Sequence, residues 1–188
     1  PSAMIGLAML SFAPLTIASV TAERRRAYRV LRTAMEQDDL TGAFRRGEFL
    51  RRAESALPVD GGRPAALLMM DLDHFKHVND TYGHITGDHL LQEVARRLTN
   101  CIRESDTVGR LGGDEFIVLL DEIAQREDTD LIRAKIITTL SEPYQLAKTA
   151  LQITPSIGVA VYPENGTDSN ELIRYADDAM YQAKRIRS

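Results

Sequence analysis

The hydrophobic positions of this chain change their spacing several times, and these changes mark the predicted strands. Ala65–Met70 is an uninterrupted apolar run, which is typical of a central strand that is covered on both faces of a sheet. Phe116–Leu120 is a shorter apolar run and predicts a second buried strand. Two further strands are expected over Asp106–Leu111, which would pair with the second strand, and over Leu151–Tyr162.

Helical spacing of apolar residues separates these strands. In Gly87–Arg103 the apolar side chains share one stripe, which we assign to the hydrophobic core and not to a cofactor site: Leu90, Leu91, Val94 and Leu98. Asp128–Leu140 is also expected to turn an apolar set inward: Leu131, Ile132, Ile136 and Leu140. Arg45–Ala56 and Asn170–Lys184 are the other predicted helices of the domain. This order of elements predicts an α+β fold, with helices packed against a mostly antiparallel sheet.

The first 20 residues differ in composition from the rest of the chain. Met4–Val20 is almost wholly apolar, and the arginines Arg24–Arg26 follow it closely. The apolar run is slightly shorter than the roughly 20 residues that span a bilayer, and Pro14 interrupts it. We interpret residues 1–20 as the end of a transmembrane helix, with the arginines on the cytoplasmic side. The alternative is a helix that is buried in protein or packed against a partner.

Residues 21–37 are expected to form a helix that connects this segment to a domain over residues 38–188. Tyr28, Leu31 and Met35 have heptad-like spacing, but the repeat is too short to establish a coiled coil. Because the chain begins at Pro1 and not at a methionine, we expect it to be a piece of a longer protein.

Length, charge and cysteine content restrict the classes of function. The 188 residues suffice for one compact domain with a helical extension. The net charge of −4 indicates no basic face for nucleic acid, so we expect no nucleic-acid partner. Cys101 is the single cysteine and cannot form an internal disulfide. We expect it to be a buried apolar residue in a reducing compartment.

Two neighbouring acids follow a pair of glycines before the strand at Phe116–Leu120. We name Gly112–Glu115 the acidic turn, because Gly112 and Gly113 can adopt positive φ and so present Asp114 and Glu115 at a sheet edge. The glycines also leave no side chain where phosphate groups would approach. Taken alone, this segment is best interpreted as an ordinary solvated hairpin.

A second acidic segment changes that interpretation. Asp71 and Asp73 follow the central strand, and their alternation predicts that both point to the same side. Mg²⁺ prefers one or two carboxylates together with water and substrate phosphates, and Lys76 provides a charge suited to phosphate. Polar groups around the following glycines add to the segment: Asn79, Asp80, His84 and Asp88. Together the two acidic segments predict a metal–nucleotide site.

These segments resemble the GGDEF family of diguanylate cyclases, which is named after the motif at Gly112–Phe116. Further motifs of that family occur in the same order: D-x-L-T-G at Asp38–Gly42, D-x-D-x-F-K-x-x-N-D-x-x-G-H-x-x-G-D at Asp71–Asp88, Ser156–Gly158, and YADDAMYQAKR at Tyr175–Arg185. The resemblance covers about residues 38–187 and implies the palm-like architecture of nucleotidyl cyclases and polymerases.

The resemblance also implies roles for individual residues. The ligands of a divalent cation, Mg²⁺ or Mn²⁺, are expected to be Asp71, the carbonyl oxygen of Leu72, Asp114 and Glu115. The expected catalytic residues are Glu115, which would assist deprotonation of a ribose 3′-hydroxyl, Asp114 and Lys76. The expected substrate-binding residues are Asn79 and Asp88 at the guanine edge, Lys184 at the triphosphate, and Phe75, Gly112 and Gly113 near the phosphates. The family typically has a phosphate-binding arginine at the position of Ser188, so this contact is expected either to be absent or to be supplied by Arg187.

The reaction implied by the resemblance is the condensation of two GTP molecules into cyclic di-GMP, with release of two pyrophosphates. Each domain would hold one GTP, so the functional unit is expected to be a homodimer. Arg103 and Asp106 form an R-x-x-D motif, which implies an inhibitory site for the product, although the same pattern is common in exposed ion pairs. Arg133 is a candidate for a second arginine at that site.

A second functional class remains open at this point. The alternative to an active cyclase is a catalytically inactive regulatory module that binds GTP or cyclic di-GMP. In either case the apolar segment predicts the cytoplasmic domain of a bacterial inner-membrane protein.

Overall fold

The computed structural model describes residues 35–57, 64–146 and 149–187, together with Glu23, Arg24, Arg26 and Thr33. The chain divides into two compact units, Pro1–Glu36 and Gln37–Ser188. In the first unit the described positions have helical backbone, whereas the predicted membrane segment Met4–Val20 lies outside the described residues. Within the part of the chain that the structure describes, no helix combines the length and hydropathy needed to cross a bilayer.

The second unit contains the strands β1 Phe44–Arg45, β2 Ala65–Leu72, β3 Thr107–Gly112, β4 Glu115–Leu120, β5 Tyr144–Leu146, β6 Thr149–Leu151 and β7 Pro155–Tyr162. Five of them form one sheet with the order β1-β3-β4-β2-β7. In this sheet only the short β1 pairs in parallel, with β3, and the other pairings are antiparallel. A separate two-stranded sheet consists of β5 and β6.

Helices cover both faces of the five-stranded sheet. Alternate residues of β2 belong to two separate core clusters, with Leu68 in one and Leu67 in the other. The helices are α1 Arg46–Ala56, α2 Phe75–Tyr82, α3 His84–Cys101, α4 Arg126–Ser141 and α5 Ser169–Arg187. The first cluster packs the sheet against α2, α3 and α4, and the second packs it against α1 and α5. The predicted α+β class, the central position of β2 and the burial of Cys101 are therefore confirmed.

Three features of the fold differ from the sequence-based expectations. The predicted strand Leu151–Tyr162 is divided, because Thr149–Leu151 pairs with β5 and Gln152–Thr154 joins neither sheet. Leu131 was expected inside but is 70% exposed. Helical geometry explains this, since Leu131 projects from the side of α4 opposite to the buried Ile136. The helix α2 was not predicted at all.

Candidate active site

The acidic turn connects β3 to β4 at the edge where β2 also ends. Gly112 and Gly113 have φ of +149° and +53°, so the predicted positive φ is present at both residues. Asp71, near the end of β2, pairs directly with Glu115 at the start of β4. Directly opposed residues of antiparallel strands have Cβ atoms about 5 Å apart. The register therefore brings the carboxylates of the two acidic segments together.

Arg110 holds the acidic turn in place. Its Nε and Nη2 donate hydrogen bonds to the carbonyl oxygen of Gly113 at 3.0 and 2.7 Å, and its Nη1 contacts Asp38 Oδ1 at 2.9 Å. Burial acts to raise the pKa of Asp38, but hydrogen bonds from Thr41 and Arg110 outweigh it and keep this pKa below its ordinary value. Asp38 is therefore a charged anchor that ties the turn to the loop before β1.

Lys184 of α5 reaches the carboxylate of Asp71. Its Nζ donates a hydrogen bond to Asp71 Oδ1 at 2.6 Å, and the side chains of Lys184 and Asp71 are 40% and 13% exposed. This hydrogen bond raises the pKa of Lys184. The lysine thus supplies positive charge at a position where several carboxylates meet.

The remaining acids of the cluster repel one another. Burial, followed by the charge of Asp71, raises the pKa of Asp114. Burial also raises the pKa of Glu115, with further contributions from Asp71, Asp114 and Asp177. Carboxylates whose pKa values are raised in this way gain stability from any additional cation placed between them.

The donor atoms at this edge suit a hard divalent cation. Among the residues that the structure describes, no group of three or more His, Cys, Asp or Glu side chains is arranged to hold a metal by itself. Mg²⁺ does not need such a group, because it commonly takes one or two carboxylates and completes its shell with water and substrate phosphates. Asp71 and Asp114 meet that requirement, because the two carboxylates are close enough for the charge of Asp71 to raise the pKa of Asp114.

Asp73 lies on the same side of the sheet as Asp71, as predicted, because it contacts Ser156, the residue paired with Asp71. It follows the last residue of β2, and its side chain is buried in a hydrogen-bonded position. Ser156 Oγ donates to its Oδ1 at 2.7 Å, and Thr154 Oγ1 donates to its Oδ2 at 2.8 Å. Asp73 therefore connects the end of β2 to the segment that leads into β7.

Four of the predicted catalytic and substrate-binding residues lie on α2 and α3, the two helices that follow β2. Phe75 begins α2 and is buried, Lys76 is exposed on the first turn, and Asn79 is half-buried. Asp88 is exposed near the start of α3. Gly87 brings the two helices into contact, since a Cβ atom there would lie 1.9 Å from Asn79 Oδ1. We name this helix pair the polar wall, and its first residue, Phe75, lies three positions after the end of β2.

Comparison with known proteins identifies the family of the chain. The sequence model described as "Diguanylate cyclase, GGDEF domain" matches residues 35–188. The chain belongs to the GGDEF family. It is 43% identical over 161 residues to MucR of Pseudomonas aeruginosa, named a bifunctional diguanylate cyclase and cyclic di-GMP phosphodiesterase. That match covers 85% of this chain but only 23% of MucR, so the chain spans about a quarter of that relative.

Solved GGDEF structures are similar over most of the chain. The GGDEF domain of TpbB from Pseudomonas aeruginosa has a TM-score of 0.77 and 39% identity, covering 80% of this chain and 89% of that one. The coiled coil and GGDEF domain of DgcB from Caulobacter crescentus, solved in complex with c-di-GMP, has a TM-score of 0.81 and 27% identity, with coverage of 92% and 93%. The palm-like GGDEF fold is thereby confirmed.

The R-x-x-D motif of this GGDEF domain lies at the other end of β3 from the acidic turn. The carboxylate of Asp106 accepts hydrogen bonds from the backbone N–H groups of Arg103 at 2.9 Å and Asp121 at 3.1 Å. Asp106 therefore orders the loop, and the Arg103 side chain has no ion-pair partner among the described residues. Arg103 lines a cavity of about 450 Å³ next to β1, whereas Arg133 lines a different cavity.

Two residues of the GGDEF site had no predicted role. Asp177 contributes to the raised pKa of Glu115, and it lies seven positions before Lys184 on α5. A spacing of seven places both side chains on the same face of a helix, so the signal was present in the sequence. Arg110 is the other, and its contact with Asp38 spans 72 positions of the chain.

Proposed function

We propose that this GGDEF domain is a diguanylate cyclase that condenses two GTP molecules into cyclic di-GMP and two pyrophosphates. The observation that carries the proposal is the cluster of Asp71, Asp114 and Glu115 at one sheet edge, with Lys184 in contact with Asp71. Membership of the family supports the same chemistry.

The oxygen donors at this edge would hold Mg²⁺ or Mn²⁺. Asp71, Asp114 and the carbonyl oxygen of Leu72 are the expected ligands, with Glu115 beside them. When bound, the cation supplies positive charge that polarises the α-phosphate and lowers the pKa of the attacking hydroxyl. Glu115 lies beside these ligands and is the proposed acceptor of that hydroxyl's proton.

The bonds that change involve two nucleotides. The 3′-oxygen of one GTP forms a bond to the α-phosphorus of the other, the bond to the departing pyrophosphate breaks, and Glu115 receives the hydroxyl proton. The same step in the opposite direction, with Glu115 of the second domain, closes the ring and releases the second pyrophosphate. Lys76 and Lys184 hold the triphosphate, and the backbone N–H of Phe75 offers a further phosphate contact at the start of α2. Gly112 and Gly113 give the phosphates room, since a Cβ at either position would meet nothing within 4 Å.

Guanine is recognised by the polar wall of α2 and α3. The Asp88 carboxylate would accept hydrogen bonds from the N–H groups of the guanine edge, and the amide of Asn79 would both donate and accept there. Once the bound base covers the Asp88 carboxylate, adenine would leave this acceptor unpaired, which would account for the choice of base. Since each domain binds one GTP, two domains must meet with their nucleotides opposed, and the active species is a homodimer.

Regulation by product belongs to the same proposal. Cyclic di-GMP binds at Arg103 and Asp106, where an arginine contacts phosphate and stacks on guanine. The related DgcB domain was solved in complex with c-di-GMP, which supports binding of the product by a domain of this fold. Attachment to the membrane rests on the apolar residues 4–20 alone and stays a prediction.

The deciding experiment measures product formation from GTP and Mg²⁺. Chromatography of the reaction should show cyclic di-GMP, at a rate per protein molecule that rises with protein concentration because two domains must meet. Glu115→Gln should lower the rate by at least about 100-fold, the usual contribution of a proton acceptor, while GTP still binds. Glu54→Gln, which removes an exposed carboxylate of α1, is the matched control and should leave the rate unchanged.

The same assay distinguishes the two functional classes. If a demonstrably dimeric sample binds GTP and yields no cyclic di-GMP, the cyclase proposal fails and the regulatory-module hypothesis is supported.

A further inference from the structure

A cavity of about 260 Å³ lies between α4, β7 and α5, away from the acidic turn. One wall is polar and consists of Arg126, Thr129, Asp130 and Arg133 of α4. Their spacing of three, four and seven positions places them on one face of the helix. The other walls are formed by apolar residues of β7, by Asn165, and by Tyr175 and two alanines of α5.

Two polar atoms on this cavity have no hydrogen-bond partner. Thr129 is 1% exposed, and neither its Oγ1 nor the buried Nε of Arg133 has a partner within the described part of the chain. Among the described residues, the only other buried side-chain nitrogen or oxygen without a hydrogen-bond partner is Tyr144 Oη. A buried polar atom without a partner costs free energy, so their occurrence together on one cavity indicates a missing acceptor.

The charge of the polar wall favours an anion. Arg126 and Arg133 outnumber the single carboxylate, that of Asp130, in a chain whose overall charge is −4. Arg126 also pairs with Glu164, but both side chains are about half exposed, at 61% and 49%, so this pair competes weakly with a ligand. Among the described residues Arg133 has no carboxylate partner, its buried Nε has no acceptor, and its guanidinium is a forked donor suited to carboxylate or phosphate.

The opposite walls are mostly apolar, apart from Asn165 and Tyr175. Val159 and Val161 of β7 and Ala179 and Ala183 of α5 supply their apolar surface. At Gly158 the two elements are in close contact, because a Cβ there would lie 1.9 Å from the carbonyl oxygen of Ala176. The cavity is therefore preformed by backbone packing and can accept an apolar group without rearrangement.

We infer that this cavity binds a small organic anion. Its phosphate or carboxylate group accepts hydrogen bonds from Arg133 and Thr129, and its apolar part lies against β7 and α5. A volume of about 260 Å³ is at the lower limit of ligand pockets, which excludes a dinucleotide and separates this site from the proposed product site. The inference does not depend on cyclase activity.

Isothermal titration of the full chain with phenyl phosphate and, separately, with benzoate tests the inference. Saturable binding of one or both probes is expected, and their ratio identifies the preferred head group. Arg133→Gln should weaken binding by at least about tenfold, the effect of losing a charge-assisted hydrogen bond. Arg174→Gln removes the same charge from an exposed position of α5 that does not line the cavity, and should bind as the wild type does.

Thr129→Val provides a second variant that tests the same site without removing a charge. The change keeps the shape of the side chain and removes a hydroxyl that has no partner, so thermal stability should be equal or higher while probe affinity falls several-fold. If neither probe gives saturable heat at 10 mM while the protein still binds GTP, the cavity holds only water and the inference is wrong. Wild-type affinity in both variants, or a clear loss of stability in Thr129→Val, would equally overturn it.

Discussion

At the scale of single residues, the contact between Gly87 and Asn79 allows a direct test of guanine recognition. A Cβ at position 87 would lie 1.9 Å from Asn79 Oδ1, which is the end of a flexible side chain, so Asn79 must rotate away in Gly87→Ala. Alanine is favoured over glycine inside a helix such as α3, so the fold should not suffer. We expect GTP to bind about tenfold more weakly, as for the loss of one hydrogen bond, in a calorimetric titration.

Gly47→Ala is the matched control for that substitution. Gly47 also lies inside a helix, α1, but a Cβ there would meet nothing within 4 Å, so GTP affinity should be unchanged. Wild-type GTP affinity in a folded Gly87→Ala protein would show that Asn79 does not contact the base.

A second prediction at the scale of residues concerns the loss of stability that burial and mutual repulsion of the clustered carboxylates cause. Burial and the charge of Asp71 raise the pKa of Asp114, so the folded state binds more protons than the unfolded state between the ordinary and the raised pKa. Stability without metal should therefore fall as pH rises through that interval and stay lower above it. Asp114→Asn removes this cost and should stabilise the metal-free protein at neutral pH by up to roughly 1 kcal/mol, since solvent screens part of the repulsion.

Melting temperatures measured in EDTA between pH 3.5 and 7 check this prediction. The difference between Asp114→Asn and wild type should be small at the acidic end and grow toward neutral pH, whereas Mg²⁺ should stabilise the wild type more than the variant. Asp80→Asn, at an exposed position of α2, controls for the loss of a surface charge. A variant that is less stable than the wild type at pH 7 in EDTA would contradict the electrostatic account.

The sequence predicted those site residues whose neighbours define their position. Asp71 follows a buried apolar run, and Asp114 and Glu115 follow two glycines, so strand and turn geometry alone place these acids at sheet ends. The alternation also placed Asp73 on the side of Asp71, which its hydrogen bond from Ser156, the partner of Asp71, confirms. Arg110 was missed because its partner Asp38 is distant in the chain, and no local pattern reports such a contact.

At the scale of elements, Arg97 of α3 holds the end of α4. Its Nη1 donates to the carbonyl oxygens of Thr139 and Glu142 at 2.9 and 2.8 Å, and its Nη2 donates to that of Pro143 at 2.8 Å. Its guanidinium also lies 3.8 Å from the centre of the Tyr144 ring, and burial raises the pKa of Tyr144 to about 12. The planar guanidinium of Arg97 thus donates hydrogen bonds to carbonyl groups that the end of a helix leaves without partners.

Arg97→Lys should therefore destabilise the domain although it preserves the charge. An ammonium group cannot reach three carbonyl oxygens in this geometry, and we expect a loss of about 2 kcal/mol in the free energy of unfolding, measured in urea. The neighbouring Arg96→Lys is the control, since Arg96 is 61% exposed and pairs only with Glu93 among the described residues. Equal unfolding midpoints for the two variants would show that the carbonyl contacts of Arg97 contribute nothing specific.

Elements with strong periodicity were predictable, and short or polar elements were not. The stripe of α3 identified that helix, although it begins at His84 and not at Gly87. The eight residues of α2 include only two buried side chains, Phe75 and Val78, so hydrophobic spacing gave no helical signal there. β5 and β6 have three residues each and are defined by pairing with each other, which becomes visible only in three dimensions.

At the scale of the whole domain, β3 separates the two proposed nucleotide sites. Arg103 and Asp106 precede this strand, and the acidic turn follows it. A strand of six residues is about 20 Å long, so a ligand at Arg103 does not contact GTP at the acidic turn. Inhibition by product must then act on the approach of two domains or through the strand, and not by occupying the substrate site.

This separation predicts the kinetic form of product inhibition. Added cyclic di-GMP should lower the maximal rate of the wild type without raising the apparent KM for GTP, because the two ligands do not compete. Arg103→Ala should reduce the inhibition, measured as the ratio of rates with and without added cyclic di-GMP, by at least about tenfold in inhibitor concentration, since a charged donor to phosphate is lost. Arg96→Ala removes an exposed arginine of α3 outside the Arg103 cavity and should retain the wild-type ratio. Inhibition that excess GTP reverses, or that survives in Arg103→Ala, would place the product at the acidic turn and not at the far end of β3.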